Sequence, residues 1–181
     1  MKTIKIMLLI FMISLSSCYS TKKLIRENNF KISDFDKNKF NGIYSNGLKD
    51  SLPKKLWTTL KSSYSDKPTT LNQENHNVKL TLLDNENINI KLLNETDENV
   101  IEEFNLKGKI KDNFFSIDKK QTLYPFFPIF YLNNETKTII GNDCNGNLIL
   151  VTGKVNEAII FIFSGGNRSV DNDQFKRVEK K

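Results

Sequence analysis

From residue 78 onward the chain alternates. Val78, Leu80 and Leu82 are separated by Lys79 and Thr81, and Ile88, Ile90 and Leu92 by Asn89 and Lys91. A period of two puts apolar side chains on one face of an extended strand and polar ones on the other, which no helix does. Turn signals follow closely: Asp84 to Asn87, Asn94 to Asn99, Asp118 to Lys120, Asn133 to Glu135, and Asn145-Gly146. The last is the strongest, because Asn and Gly both tolerate positive φ. Further strands are expected at Phe40 to Ser45, Leu123 to Leu132, Thr138 to Ile140, Leu148 to Thr152 and Ala158 to Phe163. Ile101 to Lys107 and Lys109 to Ile117 form two more, or one long strand bent at Gly108. Gln174 to Val178 is a last strand pairing back. Connections this short make neighbours antiparallel. The expected fold is therefore mainly β, an antiparallel meander that hides its edges by forming a barrel-like or strongly curved sheet.

One helix interrupts the strands. Ser51 is placed to cap it and Pro53 falls in the first turn, where its missing N–H costs nothing. Leu56, Trp57 and Leu60 then share one face, with Leu52 a turn earlier. The helix is expected to end by Ser62–Ser63 and to pack on the sheet. Ser33 to Asp36 is expected to cap a shorter helical turn.

The amino terminus has a different character. Lys2 and Lys5 precede an unbroken apolar run of eight residues, Ile6 to Ile13, and small residues lead to Cys18. That is the layout of a secretory signal helix, and the run is too short to span a bilayer, which takes about 20 residues. Leu15-Ser16-Ser17-Cys18 resembles the lipobox of bacterial lipoproteins. The resemblance implies cleavage between Ser17 and Cys18 and acylation of the Cys18 thiol, so that membrane lipid is held through Cys18. Tyr19, where an Asp retains some lipoproteins at the inner membrane, implies an outer-membrane, periplasm-facing address. Residues 1–17 are thus expected to be a signal peptide, 18–38 a lipidated tether rich in Lys22, Lys23, Arg26 and Lys31, and 39–181 a single β-rich domain. Asp50-Ser51-Leu52 is similar to an O-glycosylation pattern of some Bacteroidetes. Phe40-Asn41-Gly42-Ile43-Tyr44 resembles the Gly-x-aromatic opening of lipocalin-type barrels, with Tyr where that family usually has Trp. It implies a barrel whose interior holds an apolar ligand.

Composition narrows the function classes. The net charge is +6, but of 27 Lys and Arg only Arg26, Arg168 and Arg177 are arginines. The lysines alternate with Asp and Glu instead of clustering, which argues against nucleic-acid recognition. With Cys18 acylated, Cys144 has no intrachain partner for a disulfide. The only histidine, His76, cannot hold zinc alone. Asp171-Asn172-Asp173 lacks the further acidic ligands of a calcium loop. Ser164 to Arg168 lacks phosphate-loop spacing and reads as a turn. No cofactor, metal or catalytic set emerges.

Tyr124-Pro125-Phe126-Phe127-Pro128-Ile129-Phe130-Tyr131 is the most distinctive internal stretch. Both faces of such a strand are apolar, so something must cover each. Its two prolines cannot donate to a ladder, which sends the strand to an edge or bends it. Tyr124, Phe126, Phe127, Phe130 and Tyr131 are candidate contacts for a ligand or an envelope protein. The competing reading, a bent strand buried between sheet and helix, is preferred because long apolar runs are usually core. Ala158 to Phe163, apolar on both faces, is expected to be a central strand covered on both sides. The functional expectation is a non-enzymatic binding module holding an apolar small molecule. The alternative is an accessory subunit docking through Tyr124–Tyr131.

Overall fold

The computed structural model describes residues 19–47, 55–66, 76–94, 99–126, 130–160 and 163–178, without the side chains of Pro125 and Phe126. The expected signal helix, Ser17, Cys18, the Asp50-Ser51-Leu52 pattern, Pro53 and Phe127 lie outside these residues. Among the described residues three helices, α1 (Thr21–Arg26), α2 (Lys37–Phe40) and α3 (Leu56–Tyr64), accompany nine strands. The strands are β1 (Gly42–Ser45), β2 (Asn77–Leu82), β3 (Asn87–Leu93), β4 (Val100–Lys111), β5 (Phe114–Ile117), β6 (Lys120–Phe126), β7 (Phe130–Asn142), β8 (Leu148–Ile160) and β9 (Phe163–Phe175).

All strand pairs are antiparallel, in the order β1-β2-β3-β4-β5-β7-β8-β9, with β6 on β7 beside β5. β1 and β9 share no ladder, so the sheet is not a closed barrel of paired strands. One bridge, Tyr44 to Arg177, links β1 to the chain just past β9. Ser45 N–H donates to Lys176 O and Val178 N–H to Ile43 O, each at 2.8 Å. Gly42 makes room there, because a Cβ would sit 3.0 Å from the Arg177 guanidinium carbon. That guanidinium donates to Lys39 O and Asn41 O and lies over the Tyr44 ring.

The strand at Gly108 is one long β4, not two. It reverses at Asp112-Asn113, where no glycine marks the turn, with φ of 48° and 68°. Gly108 is there for closeness: a Cβ would lie 2.4 Å from Ser116 O. Asn145-Gly146 turns between β7 and β8 as expected, with Gly146 at φ +78°.

Two apolar clusters cover the sheet. On one face α3 buries Leu56, Trp57 and Leu60 against Tyr44, Leu80, Ile90, Leu150 and Phe175. The start of α3 is capped from a distance: Asn46 O accepts from Leu56 N–H at 2.9 Å, and Asn46 Oδ1 accepts from Trp57 N–H at 2.8 Å. Lys55, not Ser51, occupies the N-cap position and makes no side-chain cap. The helix runs to Tyr64, past the expected end.

On the other face the expected tether is a packed strap. Tyr19 and Leu24 are buried with Ile139, Ile149, Val151 and Val155, and Phe30 and Ile32 pack at the margin. Residues 19–32 therefore complete the core instead of lifting the domain on slack chain. Gly153 admits the strap, since a Cβ would stand 2.6 Å from Tyr19 Cγ and 2.9 Å from Leu24 Cδ2. Gly153→Val is expected to expel Tyr19 and α1 while leaving the opposite cluster in place. Limited trypsin digestion should then cut at Lys22, Lys23 or Arg26 at least about tenfold faster than in the parent chain, as for any segment opened locally. An unchanged cutting rate would mean that the strap is not seated on Gly153.

Candidate contact surface

β7, β8 and β9 are the longest described strands, at 13 residues each, and one end of this group outruns the rest of the sheet. Only β6 accompanies them to that end, so four strand ends form one tip. The register puts Phe126, Phe130, Ile160 and Phe163 in one row across these strands. The next row holds Pro125, Tyr131, Ile159 and Ser164, and the third Tyr124, Leu132, Ala158 and Gly165. None of the three rows contains a charged residue. A polar belt follows, with Asn133 and Glu157 in one row and Asn134, Asn156 and Asn167 in the next.

The tip is exposed. Phe163 shows 75 % of its surface, Tyr124 55 %, Ile160 50 %, and Leu123 and Ile159 nearly as much. Phe130 and Tyr131 are half-buried. The preferred expectation, a strand buried between sheet and helix, is not met at exposed Tyr124, and α3 packs elsewhere, with Trp57 edge-on to Phe104 at 5.0 Å. The aromatic stretch is not one strand either. It divides between β6 and β7. Its edge placement did hold: β6 pairs with β7 alone among the described strands, so Pro125 breaks no ladder on the other side. Ala158 to Phe163 is likewise not a covered central strand. It divides between the end of β8 and the start of β9, with Ile159, Ile160 and Phe163 in the open.

Two expected turns are strand, one just behind the tip and one running back from it. Asn133 to Glu135 runs mid-β7. Asn133 is buried and accepts from Gln121 Nε2 at 3.0 Å, and Glu135 is buried between Tyr19 N–H at 2.9 Å and Lys119 Nζ at 3.3 Å. Burial pushes the Tyr19 phenol above its ordinary pKa, and the nearby Glu27 carboxylate adds to that. Ser164 to Arg168 belongs to β9, where Arg168 Nη2 reaches Glu157 Oε1 at 2.6 Å. The charges nearest the tip thus neutralise each other.

The remaining polar residues build structure. Asp143 accepts from Asn145 N–H and Asn147 N–H at 2.8 Å and from Gln174 Nε2 at 2.6 Å, which fixes the hairpin beside exposed Cys144. Asp171-Asn172-Asp173 is strand, not loop, and Asn172 holds the strap through Asn29 N–H and Glu27 O. Among the described residues no three or more His, Cys, Asp and Glu side chains gather as a metal set. Compared with protein-family models, with curated proteins and with solved structures, the chain finds no match.

The tip could have been read from the sequence by pairing its two double-faced apolar runs. Each run divides between two strands, so both of its halves reach the same tip.

Proposed function

We propose that this is a membrane-anchored envelope lipoprotein, acylated at Cys18, whose domain is a non-enzymatic docking module. The anchor rests on the lipobox resemblance of Leu15-Ser16-Ser17-Cys18, and so does the periplasm-facing outer-membrane address. The docking reading is carried by one observation: the exposed uncharged tip at the ends of β6, β7, β8 and β9. Contiguous apolar surface of this kind marks a contact site.

The apolar-ligand reading has less behind it. Trp57, Tyr44, Phe40, Phe115 and Phe175 are fully buried where a lipocalin-like interior would have to be hollow. The cleft nearest the Gly42-x-Tyr44 opening is a surface groove that includes Asn41, Lys79 and Arg177. What speaks for a barrel-like curve is the Tyr44–Arg177 bridge.

The test is a photo-reactive residue at position 163, compared with one at Asn85 in the exposed β2–β3 turn, in the acylated chain in its native membrane. Adducts are expected at 163 at least about tenfold above those at 85. Equal yields would overturn the docking reading. A stoichiometric apolar small molecule released from the purified protein would restore the ligand reading.

A further inference from the structure

We infer that the occupant of the tip is the lipid bilayer itself, so that the β6–β9 strand ends form a second membrane contact beside the acyl anchor. This rests on the proposed acylation of Cys18.

The first observation is where Tyr19 is held. The Tyr19 amide, bonded directly to Cys18, is pinned to Glu135. Glu135 lies five residues along β7 from Phe130, or about 17 Å at about 3.3 Å per residue. It lies seven residues, about 23 Å, from Asn142 at the far end of that strand. From Tyr19 the strap runs away from the tip, reaching Asn142 O through Ser33 N–H at 2.9 Å. The amide of Tyr19 is thus at the tip-ward end of the strap. Because the strap is packed, no slack lets the domain swing freely. Acyl chains on Cys18 would bring the tip to the membrane and keep the Asn145-Gly146 turn away from it.

The second observation is the banding of the tip. Three uncharged rows span roughly 7–10 Å of strand, which matches the roughly 5–10 Å to which interfacial elements sink into the headgroup and acyl boundary. Tyr124 and Tyr131 offer rings with a polar end, as suits that boundary. The belt of Asn134, Asn156 and Asn167 then meets the hydrated headgroups. A protein partner would need none of this alignment with the anchor.

The experiment uses the acylated full chain in protein-free vesicles of zwitterionic and anionic phospholipid. A nitroxide is placed at Phe163→Cys in a Cys144→Ser background, and a second at Tyr124→Cys in that background. Both positions are exposed, so the fold should tolerate the label. Native Cys144, exposed about 40 Å from the tip along the strands, carries the control label. Collisions with oxygen should exceed collisions with a water-soluble nickel chelate severalfold at 163 and 124, and the order should reverse at 144. A label at 163 as open to nickel as one at 144 overturns the bilayer proposal. An acyl group on Cys18 with that result overturns this proposal alone. An exported chain whose Cys18 is bare overturns the anchored reading beneath it.

Discussion

Trp57→Ala should lower the unfolding free energy by about 3–5 kcal/mol, the usual cost of truncating a large buried aromatic side chain. A domain with ordinary marginal stability would lose much of its folded population at that cost. The ring is fully buried on α3, stands edge-on to Phe104, and lies in the cluster that joins helix to sheet. Removing it leaves Leu56 and Leu60 facing a void that close-packed neighbours cannot fill without strain. Trp57→Phe should behave differently. The indole N–H has no hydrogen-bond partner among the described residues, and an unpaired buried donor costs about 1–3 kcal/mol. Phe removes that donor and keeps most of the ring, so its net cost should stay under about 1.5 kcal/mol, as for near-isosteric swaps. Urea melts of the three chains check the pair. Equal losses for Phe and Ala would mean that the whole indole, not the six-membered ring that Phe keeps, holds α3 in place.

The contrast between Trp57 and Phe163 shows how far the sequence could be read. Helical spacing of Leu56, Trp57 and Leu60 identified a stripe, and a stripe needs a partner, so its burial followed. The two-residue period of Val78 to Leu92 likewise fixed β2 and β3 with their turn. Those signals are local, and each has a single geometric reading. The apolar run at Ile159 to Phe163 does not. A strand with both faces apolar is either in the middle of a molecule or at a place where the molecule meets something else, and composition alone cannot separate these. The misread turns failed for a related reason. Asn133 and Glu135 look like loop residues until Gln121 and Lys119 from the neighbouring strand region and the Tyr19 amide, over a hundred residues earlier, satisfy them. The strap looks like a tether because its apolar residues, Tyr19, Leu24, Ile25, Phe30 and Ile32, are scattered among polar and charged ones. Its burial depends on Gly153, more than a hundred residues later.

Cys18→Ala should remove the acyl anchor outright, which no change in the domain does. On the proposed reading, the Cys18 thiol is where lipid is attached and the bond before it is where the leader is cut. Alanine offers no nucleophile for that chemistry. Each buried CH₂ contributes roughly 0.8 kcal/mol, so two or three acyl chains hold a protein almost irreversibly, whereas one chain or a protein surface alone gives a reversible contact. The expected result is loss of the lipid mass increment, retention of the leader, and a mature acylated band that disappears. A chain exported with the leader removed by other means and Cys18→Ala in place separates the two contacts. It should bind vesicles weakly and reversibly through the tip, and adding Phe163→Asp should abolish what remains. A carboxylate there would have to enter the acyl boundary unpaired, which charge hydration strongly opposes. Phe163→Asp alone, in the acylated chain, should leave it membrane-bound but tilted away, with the position-124 label returned to water. Unchanged vesicle binding of the Cys18→Ala chain after Phe163→Asp would assign the residual affinity to Lys22 and Arg26 instead, and salt should then remove it.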